Sequence, residues 1–111
     1  MLGRLKAFSH TFAGLTTAWK SEEAFRMECI LGAVLFPAAL WLGDSGVERA
    51  VLILPMALVL IVELLNSAVE TVIDRIGPEQ HPLSKQAKDL GSAAVFLSLI
   101  GFLVTWAVVL L

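Results

Sequence analysis

Glu63 and Glu70 lie inside an apolar run that starts at Ala50 and ends at Ile73, with Asn66 between them. At about 100° per helical residue, positions 63, 66, 70 and 74 fall within a stripe roughly 80° wide. Glu63, Asn66, Glu70 and Asp74 therefore share one face of a helix that is otherwise apolar. An ionisable group inside a membrane span costs at least about 2 to 3 kcal/mol, so it marks a functional site by default. Depth divides the acids: Glu70 is about one turn from Asp74, where the segment becomes hydrophilic, and Glu63 is about three turns away. Such a site is open to water at one end and to lipid at its side. That geometry suits a water-soluble co-substrate meeting a membrane-embedded one.

Two further polar groups belong with this stripe. Glu22, Glu23 and Glu28 precede or enter the first apolar segment. Glu22 could approach Glu70 at the same depth across a helix pair. Two carboxylates with water and phosphate oxygens are what magnesium accepts, whereas a solvated helix N-terminus is the plainer reading of Glu22 and Glu23. Glu79, Gln80 and His81, with Lys88 and Asp89, flank the loop that follows the stripe. Lys88 could neutralise phosphate or pair with Glu70; equally, it is a lysine at a membrane interface. His81 precedes a proline and reads first as a turn residue. The chain has no G-x-x-x-x-G-K-[S/T] phosphate loop and no protein-kinase glycine loop, so any nucleotide would be held by magnesium and a few side chains.

The elements that must position these groups are helices. The chain has 111 residues, 58% of them hydrophobic, and a mean hydropathy of +0.83, against about 45–50% apolar for a soluble domain. Ser92–Leu111 carries no charge, which is long enough for a hydrocarbon core of about 30 Å. Ala50–Ile73 is long enough if its polar stripe is buried against protein. Cys29–Gly43 becomes a span if Arg26 and Glu28 lie at the interface, where long side chains snorkel. The expected fold is an all-α membrane protein in one domain, residues 1–111: a surface helix over about 2–19 and spans over about 23–42, 48–76 and 84–110. Ser21 and Ser84 read as N-caps, Gly77-Pro78 as a stop, and Gly43-Asp44-Ser45-Gly46 as a tight turn. Pro37 and Pro55 fall inside spans, which membrane helices tolerate.

In the first twenty residues, Leu2, Leu5, Phe8, Phe12, Leu15 and Trp19 recur at three- and four-residue steps, the pattern of an amphipathic helix in the membrane interface rather than of a secretory signal. Arg4, Lys6, Lys20, Arg26, Arg75, Lys85 and Lys88 lie on one side of the spans and Arg49 alone on the other, so the N-terminus and the 74–89 loop are expected in the cytoplasm. A single cysteine, Cys29, excludes an internal disulfide and argues against a thiolate metal site. Three spans offer few internal faces to a polar stripe. Oligomerisation is expected, helped by small residues in the last helix (Gly91, Ser92, Ala93, Ala94, Ser98, Gly101).

ELLNSAVETVIDRIG from Glu63 to Gly77 resembles the E-x-x-N-[S/T]-A-[IV]-E-x-x-[IV]-D core of the prokaryotic diacylglycerol kinases. H-x-L-[S/A]-x-x-A-K-D follows it from His81 to Asp89, AKDLGSAAV occupies Ala87–Val95, and AWKSEEAFRME occupies Ala18–Glu28, in the family's order and spacing. The resemblance runs from about Leu15 to Trp106. It implies a homotrimer in the bacterial inner membrane, each subunit having a surface helix and three transmembrane helices, with a membrane lipid and ATP as partners and no nucleic acid. It implies transfer of the γ-phosphate of MgATP to 1,2-diacylglycerol, giving phosphatidic acid. Residue by residue, it makes Glu63 the general base and Glu22 and Glu70 the Mg2+ ligands. It places His10, Glu79, Gln80, His81, Lys88 and Asp89 with the two metal ligands around the nucleotide. Ala24, Phe25, Arg26, Met27, Glu28, Asn66, Ser92 and Trp106, with Glu63, would then contact the lipid. His10 stands in for an aromatic residue of the family, and Arg4 is displaced by one position from a basic one.

That chemistry agrees with the residues. A primary alcohol attacking phosphorus must lose its proton, and a carboxylate in apolar surroundings suits that task. Magnesium and Lys88 would offset charge on the transferring phosphate. Related undecaprenol kinases share the same cores, although the D-R-I-G and K-D-L-G-S-A-A-V blocks favour diacylglycerol. Two other classes stay open on the residues alone. A small proton-coupled transporter using Glu63 would need a pH gradient and no ATP. A structural subunit of a larger complex would lose nothing on Glu63→Gln.

Overall fold

The computed structural model describes residues 2–111. Met1 and the Leu2 side chain, the first apolar position of the expected surface stripe, lie outside the described part. Four helices follow one another: α1 (Leu2–Ser21), α2 (Glu23–Leu42), α3 (Gly46–Ile76) and α4 (Pro82–Leu110). The last three are long and apolar enough to cross a membrane. At 1.5 Å per residue, α3 and α4 each exceed 40 Å by about one turn or less. They therefore outreach a hydrocarbon core of about 30 Å, and the loop end of each helix stands in a more polar zone.

α3 and α4 form an antiparallel pair with the most extensive packing in the molecule. Three contacts fix its register. Lys88 Nζ lies 3.8 Å from Asp74 Oδ1 near the 77–81 loop, Gly91 abuts Asn66 farther along, and Trp106 Nε1 donates to Leu52 O at 2.9 Å at the far end. Leu52 is fully buried there. Val59 and Ser98, both buried, sit at intermediate heights, and Ser98 Oγ returns its hydrogen to Val95 O at 2.7 Å. α2 packs on α3, and α1 on α2. The assembly measures 51 × 39 × 22 Å, so its thinnest dimension is about two helix diameters. Most large apolar side chains face outward, Trp41 at 84% exposure.

Helix ends depart from the expected caps in instructive ways. Ser21 closes α1 instead of starting α2. Two carbonyls at that end, Trp19 O and Lys20 O, accept from Arg26 Nη1 at 2.9 and 3.1 Å, so a guanidinium does the work there and no serine is needed. Glu22 alone breaks the helix, in extended conformation and without a side-chain capping bond. α4 begins at Pro82 rather than Ser84 because Pro82 occupies the first helical turn, where a missing N–H costs nothing. His81 Nδ1 accepts from Leu83 N at 3.0 Å. α3 starts at Gly46, with Ser45 Oγ accepting from Glu48 N at 3.1 Å. At the α2–α3 turn, Arg49 Nε donates to Leu40 O at 3.0 Å. Gly43 is buried beneath Arg49, where an added Cβ would stand 2.6 Å from Arg49 Cγ and 3.0 Å from its backbone nitrogen. Gly77 ends α3 at φ 148°, a value that side chains disfavour. Pro37 and Pro55 sit within continuous helix.

Candidate active site

The α3 stripe provides the centre of the site. Glu63 is 6% exposed, one of two buried polar side chains among the described residues, the other being Ser98. One turn on, Asn66 Nδ2 donates to Glu70 Oε1 at 3.3 Å. This bond is possible because positions four apart face each other on a helix. Asp74, next on the stripe, is exposed and turned to Lys88.

Acids from the first two helices complete the cluster. Glu63 lies within Coulombic reach of both Glu22 and Glu70, and Glu28 within reach of Glu63. The one-residue break at Glu22 is what carries the chain from α1 into α2 beside α3. A cluster of carboxylates costs free energy through mutual repulsion and desolvation, so its presence calls for a ligand that repays it. Two buried side-chain atoms among the described residues lack a hydrogen-bond partner, Glu28 Oε2 and Asn66 Oδ1. Both belong to this cluster. Orphaned buried polar atoms are rare in native structures and call for a specific explanation.

A groove of about 340 Å³ opens beside Glu28 and runs between α2, α3 and α4, lined by Cys29, Gly32, Met56, Leu60 and Phe102 among others. Its walls are apolar apart from the Glu28 end. An aliphatic chain fits such a groove, with its polar end at the acids.

The residues named from the sequence divide into those gathered here and those elsewhere. Glu22, Glu28, Glu63, Asn66 and Glu70 come together. Phe25 is buried in the packing, while Ala24 and Met27 are exposed beside it. Arg26 spends its guanidinium on the α1 carbonyls. Lys88 pairs with Asp74 and not with Glu70, because its long side chain reaches one turn past the site toward the loop. Asp89 accepts from Lys85 Nζ at 2.7 Å, an exposed pair. Glu79 and Gln80 are exposed in the loop, and His81, exposed too, caps α4. Ser92 and His10 are exposed. Trp106 is held at Leu52, eleven positions from Glu63 and so about 16 Å along the helix. Gly91 was visible in the sequence only as one of several small residues, yet it touches Asn66. Its signal was its place in the K-D-L-G block, one turn after Lys88.

Among the described residues, no group of three or more His, Cys, Asp or Glu side chains is placed to hold a metal ion on its own. Magnesium needs no such cluster, since it keeps several waters and takes one or two carboxylates plus phosphate oxygens. Glu22 and Glu70, each acting on Glu63 from a different element, are carboxylates of the kind it takes.

Comparison with known proteins gives the family of the chain. The model of the prokaryotic diacylglycerol kinase family matches residues 9–110. The chain is 50% identical over 107 residues to the diacylglycerol kinase of Pseudomonas aeruginosa, covering 96% of this chain and 87% of that one. It is 45% identical over 106 residues to those of Haemophilus influenzae and Escherichia coli K12, covering 96% of this chain and 90% and 87% of theirs. The acid stripe, the break at Glu22 and the K-D-L-G block all fall within the matched residues, and the chain belongs to the prokaryotic diacylglycerol kinase family.

Proposed function

We propose that this protein transfers the γ-phosphate of ATP to the free hydroxyl of 1,2-diacylglycerol, forming phosphatidic acid and ADP. The observation that carries the proposal is Glu63, a buried carboxylate beside acids from two other elements and near the polar end of an apolar groove. Glu63 takes the hydroxyl proton as the lipid oxygen bonds to the γ-phosphorus. The bond from that phosphorus to the β–γ bridging oxygen breaks, and its electron pair leaves on ADP. Glu22 and Glu70 would hold magnesium with the ATP phosphates; bound there, the ion supplies charge neutralisation to the transferring group. Asn66 holds Glu70 in place through its amide.

Lys88 turns from Asp74 to phosphate when nucleotide arrives. The pair it leaves is half exposed and long, hence cheap to open. Asp89, Glu79, Gln80, His81 and His10 complete the nucleotide contacts around the loop end. Ala24–Glu28, Asn66 and Ser92 line the lipid's reacting end, and Trp106, remote from Glu63, touches its tail. The thin single subunit with uncovered apolar faces supports assembly as a homotrimer. The seven-to-one division of basic residues supports a bacterial inner-membrane protein with a cytoplasmic N-terminus and a cytoplasmic site.

The test is ADP release by the purified protein in mixed micelles with ATP, magnesium and either diacylglycerol or undecaprenol. Release with diacylglycerol, with phosphatidic acid as product, is expected. Release with undecaprenol alone would reassign the lipid. Silence with both would refute the kinase reading, and proton-driven efflux from proteoliposomes without ATP would put a transporter in its place.

A further inference from the structure

We infer that Gly91 is a positioning residue of the reaction: its missing side chain lets α4 press on the Asn66 amide and keep Asn66 Nδ2 on the Glu70 carboxylate. The inference rests on the reading of Glu70 as a magnesium ligand. A Cβ at Gly91 would overlap Asn66 Oδ1 and lie 3.2 Å from Asn66 Cγ. The obstacle is the tip of a side chain, not backbone, so an added methyl displaces the amide before it displaces the helix. Turning the amide about its last torsion takes Nδ2 off Glu70 Oε1, where it now sits at 3.3 Å. The opposite orientation is closed too, since exchanging Nδ2 and Oδ1 would set an amide oxygen against a carboxylate. Asn66 is thus held from both sides, by charge at Glu70 and by shape at Gly91.

The other glycines inside helices give the contrast. Gly14 and Gly101 have nothing within 4 Å of an added Cβ, and Gly32 meets only the end of Met56 at 3.9 Å. Glycine is a poor helix residue beside alanine. A merely permissive glycine would therefore accept alanine with a gain, and a packing glycine would lose stability and activity together. Gly91→Ala should follow neither course: the gain in helix propensity offsets the lost amide–carboxylate bond, so stability is held while the orientation of one amide is lost.

Asn66 is the only asparagine in the chain, so asparagine-selective 15N labelling gives one side-chain amide to observe in the full-length protein in micelles. Gly91→Ala is expected to move both side-chain amide proton resonances from their wild-type positions, as Glu70→Gln is expected to do by replacing a charged acceptor with a neutral amide oxygen. The magnesium concentration for half-maximal activity should rise about tenfold in Gly91→Ala, the loss of one hydrogen bond to a charged group, with the thermal midpoint not lowered. Wild-type side-chain resonances in Gly91→Ala would overturn the inference. So would a lowered midpoint with unchanged half-saturation, which is the behaviour of a packing residue. If Glu70→Gln itself leaves magnesium dependence untouched while both substitutions move the amide, the metal reading fails and the positioning of Asn66 by Gly91 stands.

Discussion

Glu63→Gln separates chemistry from everything else the acid cluster does. The substitution keeps the shape of a side chain that is 6% exposed, so no cavity opens and the α3 packing is unchanged. It removes the only property that matters to a base, an oxygen that can accept and hold a proton. A positioned general base is worth about 10²- to 10⁴-fold in rate, or about 3 to 5 kcal/mol at 1.36 kcal/mol per decade. The stability effect runs the other way. Glu22 and Glu70 both act on Glu63, and a neutral amide relieves that repulsion, so the thermal midpoint in micelles should hold or rise. Nucleotide binding should persist, because the proposed metal ligands and Lys88 are intact. The assay is ADP release at saturating lipid and MgATP, beside thermal unfolding and equilibrium nucleotide binding. Glu63→Asp provides a second reading, since it keeps the charge and withdraws it by one methylene on a rigid helix. An ångström of misplacement is worth about 100-fold. A kcat for Glu63→Gln within tenfold of wild type would refute the assignment of Glu63 as the base.

Three further substitutions probe other parts of the argument. Glu70→Gln should raise the magnesium concentration for half-maximal activity by about tenfold or more while kcat at saturating magnesium falls less, the loss of one charged ligand from a set of few; titration of activity with magnesium checks it. Trp106→Phe removes the bond from Trp106 Nε1 to Leu52 O and should lower stability by about 1 kcal/mol, the net worth of one hydrogen bond across the α3–α4 pair. Its kcat should stay within a fewfold, because the indole is remote from Glu63, and chemical unfolding beside kinetics tests both statements. Gly43→Ala places a methyl against Arg49, whose Nε bond to Leu40 O closes α2. It should cost about 1 to 3 kcal/mol, the range for overpacking, with no change in magnesium dependence, readable from thermal unfolding and the same titration.

What the sequence made legible was periodic. Apolar runs of sufficient length gave three spans, and the stripe of Glu63, Asn66, Glu70 and Asp74 followed from helical geometry because an unbroken helix leaves no freedom in the matter. Glycine and proline marked the turns to within two residues. What stayed hidden depended on partners distant in sequence. No local pattern shows that Arg26 and Arg49 reach back to carbonyls of the preceding helix, so serine caps were the natural expectation at Ser21. Lys88 offered two acids of α3 a turn apart, and only the register of α3 against α4 chose Asp74. That register is set by Gly91 and Trp106, neither of which carries a charge or a periodic signal.

The helix ends bear on why the acids are free for chemistry at all. A carboxylate at the start of a helix is ordinarily drawn to the unpaired N–H groups there. Glu22 occupies that position before α2 and makes no such bond. Its backbone N–H continues to Ala18 O at 2.9 Å, and Arg26 N returns to Glu22 O at 3.1 Å. Much of the junction's hydrogen bonding is therefore met by main chain and by the Arg26 guanidinium. The Glu22 side chain is left with the favourable field of the α2 N-terminus and an unspent set of lone pairs beside Glu63. Glu70 is treated differently: one oxygen accepts from Asn66, which fixes the direction of the group while leaving its remaining lone pairs available. One acid is free to move to a ligand and the other is aimed in advance. In the proposed reaction both would serve, the aimed acid setting where phosphate stops and the free one closing behind it.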